Sequence, residues 1–262
     1  MNEPLITYEL DGNIALIGLN RPDKRNAIND PLIDELRAAV LRAHEEADVA
    51  VLFGHGSNFC AGLDLAEALA RATGQIKPPR KRRRHNWHEV FDLIARGPIP
   101  FVAALHGAVV GGGLELATAA HLRVCDETAT FGLPEGQRGI FVGGGGTVRI
   151  QRVVGTSVMM DMMLTGRLLT AAEGLQEHVV RYVVPAGEAL QKAGELAARV
   201  AKNSVETNWM IINVLPRIHD MSHDDGLFVE QLNSARARPP EAEARLREFV
   251  DGKARRLQDN QA

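Results

Sequence analysis

Cysteine is scarce: Cys60 and Cys125 are the only two in 262 residues, too few for a disulfide framework and in keeping with a reducing compartment. Aromatic residues make up only 5% of the chain, so no basic surface interleaved with stacking rings is available to hold nucleic acid. Net charge is almost absent, with 30 basic residues against 33 acidic ones, which excludes a general polyelectrolyte role. No apolar run reads as a membrane span. The longest, residues 97–125, is interrupted by His106, Glu115, His121 and Arg123. The opening MNEPLITYEL lacks a basic stretch followed by an apolar one, so the expectation is a cytoplasmic protein without a signal peptide.

Several chemical motifs are missing as well. No loop gives G-x-x-x-x-G-K-[ST], which removes a phosphate loop. Gly144 and Gly146 begin a G-x-G, but Arg149 stands where the dinucleotide fingerprint needs its third glycine. GTSVM around Ser157 lacks the second glycine of a nucleophile elbow. His85/His88 and His219/His223 have helical spacing that suits a metal, yet they lie in polar stretches and read as solvated. The expectation is no metal and no resident cofactor.

What is present is an ordinary globular composition, 45% hydrophobic and 24% charged. Leu5–Leu10 and Asn13–Leu19 flank Asp11-Gly12, a hairpin signal. Asp30-Pro31 predicts a cap and first-turn proline for a helix from Leu32 to about Ala47. Short apolar runs at Val49–Phe53, Ile99–Leu105, Leu122–Cys125 and Val179–Val184 alternate with helical stretches, which predicts an α/β fold with much parallel pairing. Helices follow at 187–202, 204–215, 224–236 and 240–257. The division expected is a core over 1–185 and a helical region over 186–262. One segment departs from the pattern: KPPRKRRR, residues 77–84, carries six of the thirty basic residues.

The chemistry concentrates in three glycine-rich loops. GAVVGGGLELA (107–117) and GSNFCAGLDL (56–65) each follow a strand and precede a helix. Glycine lets backbone N–H groups approach a ligand, and a helix start favours developing negative charge. Two such loops can aim two donors at one oxygen, as in an oxyanion hole. Glu115 lies in the first of them, two positions after its triple glycine. Glu135 lies in the third loop, TFGLPEGQRGIFVGGGGTVRI (130–150). Two carboxylates brought together repel, so one stays protonated while the other is a base. Solvated or capping carboxylates are the plainer alternative for Glu115, Glu135, Asp64 and Glu67.

LNRPDKRNAIN, FCAGLDL, PFVAALHGAVVGGGLELA, CDETATFGLPE, GGGGTVRI and LTGRLLTAAEGLQEHVV, in this order along nearly the whole chain, resemble the crotonase superfamily of enoyl-CoA hydratases and isomerases. The resemblance implies a spiral of ββα turns, a helical C-terminal region that builds trimers or dimers of trimers, and an acyl-CoA thioester as ligand. It implies that the N–H groups of Leu63 and Gly112 form the oxyanion hole. Glu115 and Glu135 take the places of the two glutamates that add water to a 2-enoyl-CoA. CoA contacts are implied at Lys24, Arg25, Ala27, Ala61 and Asp64, with Lys253 reaching the phosphates. Isomerisation, thioester hydrolysis and C–C cleavage in the same family stay open as alternatives. So does RNA or acidic-partner binding through residues 77–84, although a lip that attracts the CoA phosphates fits the acidic remainder of the chain better.

Departures from the family pattern are Gly136, expected to loosen or widen the pocket; Val142, in place of a proline; and His106, expected to be a buried core histidine.

Overall fold

The computed structural model describes residues 3–76, 87–236 and 240–251. The basic segment 77–84, His85 and Lys253 lie outside the described residues.

The chain opens with β1 (Ile6–Asp11) and β2 (Ile14–Leu19), antiparallel in the register Ile6↔Leu19 through Asp11↔Ile14. Gly12 turns the hairpin at φ +59°, a conformation glycine adopts without steric cost. The helix α1 (Asp30–Glu46) follows, capped by Asn29, whose side chain accepts from the Leu32 N–H. The cap therefore sits one residue before the expected Asp30. Next come β3 (Val49–Gly54), α2 (Leu65–Ala72), α3 (Trp87–Arg96), β4 (Phe101–Leu105), β5 (Ala108–Val110) and α4 (Gly112–Ala117). The chain continues through β6 (Leu122–Asp126), β7 (Thr130–Gly132), α5 (Gly146–Val154), α6 (Thr156–Thr165) and β8 (Leu168–Thr170). Then α7 (Ala171–Gln176), β9 (Tyr182–Val184) and α8 (Ala189–Val200) complete the first of two compact units, Met1–Ala201.

Two sheets organise that unit. The larger runs β1-β2-β3-β4-β6-β9 and is parallel from β2 onward; the smaller runs β5-β7-β8. Turns β4–β5 and β6–β7 each place one strand in each sheet, and the bridge Cys60↔Val109 extends the small layer by one more turn. This is a spiral.

The central strands are buried on both faces, as parallel strands must be. Along β3, Ala50 and Leu52 join a core with Phe59, Phe91, Phe101 and Phe131, while Val49 and Val51 face the other way. They pack with Val102, Ala104 and Val124 against Ala189, Ala193, Leu196 and Ala197 of α8. That packing draws α8 into the first unit, so its boundary lies past the division at 185/186 read from the sequence. The second unit carries α9 (Val205–Ile218), α10 (His223–Arg236) and α11 (Pro240–Val250), near the predicted spans.

Both cysteines are buried free thiols, and burial pushes each up to about 12. Only the thiolate is a good nucleophile. Native protein at pH 8 is therefore expected to resist an aromatic disulfide reagent, with both thiols reacting after denaturation; rapid labelling of either in the native state would contradict this packing.

Candidate active site

Loop 56–64 is fixed from the hairpin side. Asn26 is fully buried at φ +54°. Its side chain accepts from Arg21 N–H at 2.8 Å and donates to the carbonyls of His55 and Asn58 at 2.9 and 2.7 Å. Residues 25–28 then zip onto 61–64: Ala61 N–H donates to Arg25 O, Ile28 N–H to Gly62 O, and Asp64 N–H to Ile28 O. Asp64 caps α2 through Glu67 N–H and pairs with Arg21 at 3.1 Å. Burial opposes its ionisation, but the Glu67 N–H and the Arg21 guanidinium prevail and hold its carboxyl below the usual range.

Loop 107–117 meets this one backbone to backbone. Cys60 N–H donates to Ala108 O, and Val110 N–H to Cys60 O. A Cβ on Gly62 (φ +86°) would sit 2.6 Å from Val110 O and 3.1 Å from Gly112 N; one on Gly113 would overlap Cys60 O. Glycine is required at both. Among the described residues, neither Leu63 N–H nor Gly112 N–H has a hydrogen-bond partner. Half-buried His106 bonds Gly56 O at 3.0 Å, so it ties the loop and is not the expected core histidine.

Glu115, in the first turn of α4, is 2% exposed. Its Oε1 accepts from Gly144 N–H at 2.7 Å and Gly146 N–H at 2.8 Å. Gly144 is held in turn, because Arg149 donates to its carbonyl and pairs with Asp92 at 2.9 Å. Glu135, 5% exposed, follows β7, and its Oε1 would lie 2.8 Å from a Cβ on Gly111. Its buried Oε2 has no partner among the described residues. Burial first, and the neighbouring Glu115 charge after it, raise the Glu135 carboxyl above its ordinary value.

Leu63, Gly112, Glu115 and Glu135 line one cavity of about 250 Å³, with Trp87 and Phe141 also in its wall. All four residues singled out for chemistry thus converge, and Val142 lines the same space. Of the expected CoA contacts, Lys24 and Arg25 are exposed, Ala27 and Ala61 half-buried, and Lys253 lies outside the described residues. Sequence reasoning passed over Asn26, Trp87 and Arg149. Only Arg149 carried a signal: it sits in the glycine loop, where it was used to reject a nucleotide motif.

Comparison with known proteins identifies the family. Residues 9–233 match the family described as "Enoyl-CoA hydratase/isomerase". The Arabidopsis thaliana "Probable enoyl-CoA hydratase 2, mitochondrial" is 34% identical over 225 residues, 85% of this chain and 73% of that protein. A solved "putative enoyl-CoA hydratase" from Rhodopseudomonas palustris superposes with a TM-score of 0.85 at 42% identity, covering 96% of each chain. An enoyl-CoA hydratase from Bacillus anthracis gives 0.84 at 26% identity, over 95% of this chain and 97% of that one. The chain belongs to the enoyl-CoA hydratase/isomerase family, with the α/β crotonase fold.

Proposed function

We propose that this protein is a 2-enoyl-CoA hydratase that adds water to one face of the C2–C3 double bond. The observation that carries the reading is the contrast between two buried carboxyls in one cavity. Glu115 is fixed as an acceptor by two backbone N–H groups on a single oxygen, while Glu135 has a buried oxygen with no partner among the described residues and a raised pKa.

In this scheme the thioester oxygen receives the N–H groups of Leu63 and Gly112. They draw electron density from the conjugated system and make C3 electrophilic. A water lies between the carboxyls. Glu115 takes its proton as the water oxygen bonds to C3, and the electron pair of the double bond moves onto the thioester oxygen as an enolate. Preorganised donors for such a charge each contribute about 3–4 kcal/mol to the transition state. Glu135, protonated, delivers its proton to C2 from the same side, which gives syn addition. Transfer of a proton from Glu115 to Glu135 resets the pair.

The CoA portion is assigned to Lys24, Arg25, Ala27 and Ala61, with Asp64 acting through Arg21 on the 21–28 loop and Lys253 reaching the phosphates. The scheme uses no cofactor beyond the CoA of the substrate. Self-association as a trimer or a dimer of trimers is part of the proposal. Leu215, Phe228, Leu246 and Phe249 of the helical unit are exposed in the single chain, apolar side chains that contact between copies would cover.

A panel of CoA esters read by mass tests the reaction. Hydration adds one water, isomerisation adds nothing, and hydrolysis releases free acid. Glu115→Ala and Glu135→Ala are each expected to lower hydration by about a hundredfold or more, the usual effect of removing a general acid or base. Full activity in either variant, or a product without added water, would overturn the mechanism.

Glu135 also makes a stability prediction. Its folded-state pKa is raised, so its contribution is fully present below the unfolded glutamate value of about 4.3 and is lost as pH rises through the higher native value. Glu135→Gln, neutral throughout, is expected to melt above wild type at pH 8, with the gap closing near pH 4. Equal melting temperatures at pH 8 would show that the carboxyl carries no such burden.

A further inference from the structure

We propose that the substrate's acyl tail leaves the catalytic cavity past Ile140 and Phe141 and lies in a second, apolar cavity walled by α6, so that the enzyme favours 2-enoyl-CoA esters with long apolar tails. The proposal rests on the hydratase reading for the position of the reacting end, and on separate observations for the tail.

The second cavity measures about 460 Å³. An apolar cavity of roughly 150 Å³ already accepts benzene, so this one has room for a long chain or a substituted ring. Met159, Met160, Met163 and Leu164 form its α6 wall, the i, i+1, i+4 and i+5 positions of one helical face. Among the described residues no charged side chain lines it; Gln151, Thr147 and Thr156 are its polar members. Methionine walls adapt to chains of differing shape because the thioether is flexible and polarisable.

Continuity with the catalytic site identifies the occupant. Ile140 and Phe141 line both cavities, which makes them the partition between the reacting carbons and the α6 wall. Phe141 is 71% exposed and Leu164 81%, an apolar surface left in water unless something covers it. The only chain that must pass this partition on the proposed reaction is the one bonded to C3.

Gly136 contributes at the base of the wall. A Cβ there would sit 2.5 Å from the Met163 carbonyl oxygen, so glycine lets the turn at 136–138 close onto α6. The expected loosening of the pocket by Gly136 is replaced by a close approach.

The test compares wild type, Met160→Glu and Met160→Leu with esters of four, eight and twelve carbons. It uses turnover of the 2-enoyl forms and calorimetric binding of the saturated forms. Wild type is expected to bind the twelve-carbon ester at least about tenfold tighter than the four-carbon one, as burial of extra methylenes requires. Met160→Glu should lower kcat/KM for the long ester about tenfold through KM and leave the four-carbon ester within about twofold; Met160→Leu should restore wild-type selectivity. Chain-length-independent binding in wild type would overturn the tail cavity, as would a Met160→Glu effect that is equal on all esters. So would a change of oligomeric state in Met160→Glu with selectivity intact, since this face would then be an interface between copies. Length-dependent binding without hydration of any ester would support the tail cavity and overturn the hydratase reading alone.

Discussion

Two backbones have to touch where the loops after β3 and β5 come together, and the rest of the site depends on that contact. Cys60 exchanges hydrogen bonds with Ala108 and Val110, after which the chains run so close that no side chain fits at Gly62 or Gly113. Each glycine costs folding roughly 0.5–1 kcal/mol in lost backbone freedom. Paired strands upstream offset this. β3 and β4 lie in parallel register in the middle of the larger sheet, buried on both faces, and so deliver both loops to the same edge. Two peptide N–H groups, at Leu63 and Gly112, are then left without partners among the described residues, beside a cavity. Gly112 opens α4, where the first N–H groups have no partner within the helix, and under the proposed reaction both donors receive the thioester oxygen.

The carboxyls add a second layer of the same logic. Burying an ionised group without partners is costly, and the protein treats its two glutamates differently. Glu115 receives two N–H donors from the 144–146 loop, and Arg149 braces that loop by holding the Gly144 carbonyl while paired to Asp92. Glu135 receives no partner at Oε2 among the described residues and takes up its proton more readily. Under the proposed reaction this asymmetry decides which group is base and which is acid. It comes from backbone hydrogen bonding and burial, and not from residue type, since both are glutamates.

How much of this was readable from sequence depends on how local each signal is. The hairpin at Asp11-Gly12, the alternation of strands with helices and the three glycine loops are local patterns, and each stands where it was expected. Asn26 was invisible because its partners, His55 and Asn58, lie about thirty residues away and contribute only backbone carbonyls. The cap of α1 was displaced by one residue because Asn29 and Asp30 are both good caps, and tertiary placement chooses between them. α8 was grouped with the helical region because an amphipathic helix has the same periodicity whether it covers a sheet or another helix. Only Ala189, Ala193 and Ala197 meeting the back of β3, β4 and β6 decides it. α4 ends at Ala117, where Thr118 turns its hydroxyl back onto the Leu114 and Glu115 carbonyls.

A division of labour follows from the order of residues in the third loop. Ile140 and Phe141 line the catalytic cavity, and Gly144 and Gly146, a few positions later, orient Glu115. These functions share one short stretch of backbone, so a shift that enlarges the pocket at 140–141 drags the donors that hold the carboxylate. Arg149 and the close fit of Gly146 against the Glu115 side chain leave little slack for such a shift. α6 stands apart from the donors that hold Glu115: Met159, Met160, Met163 and Leu164 border the second cavity and not the first, and the helix meets the Glu135 side through the turn at Gly136. Under the proposed placement of the tail, selectivity is therefore adjustable on the helix side of the partition, while the loop side is held in place by the geometry of Glu115.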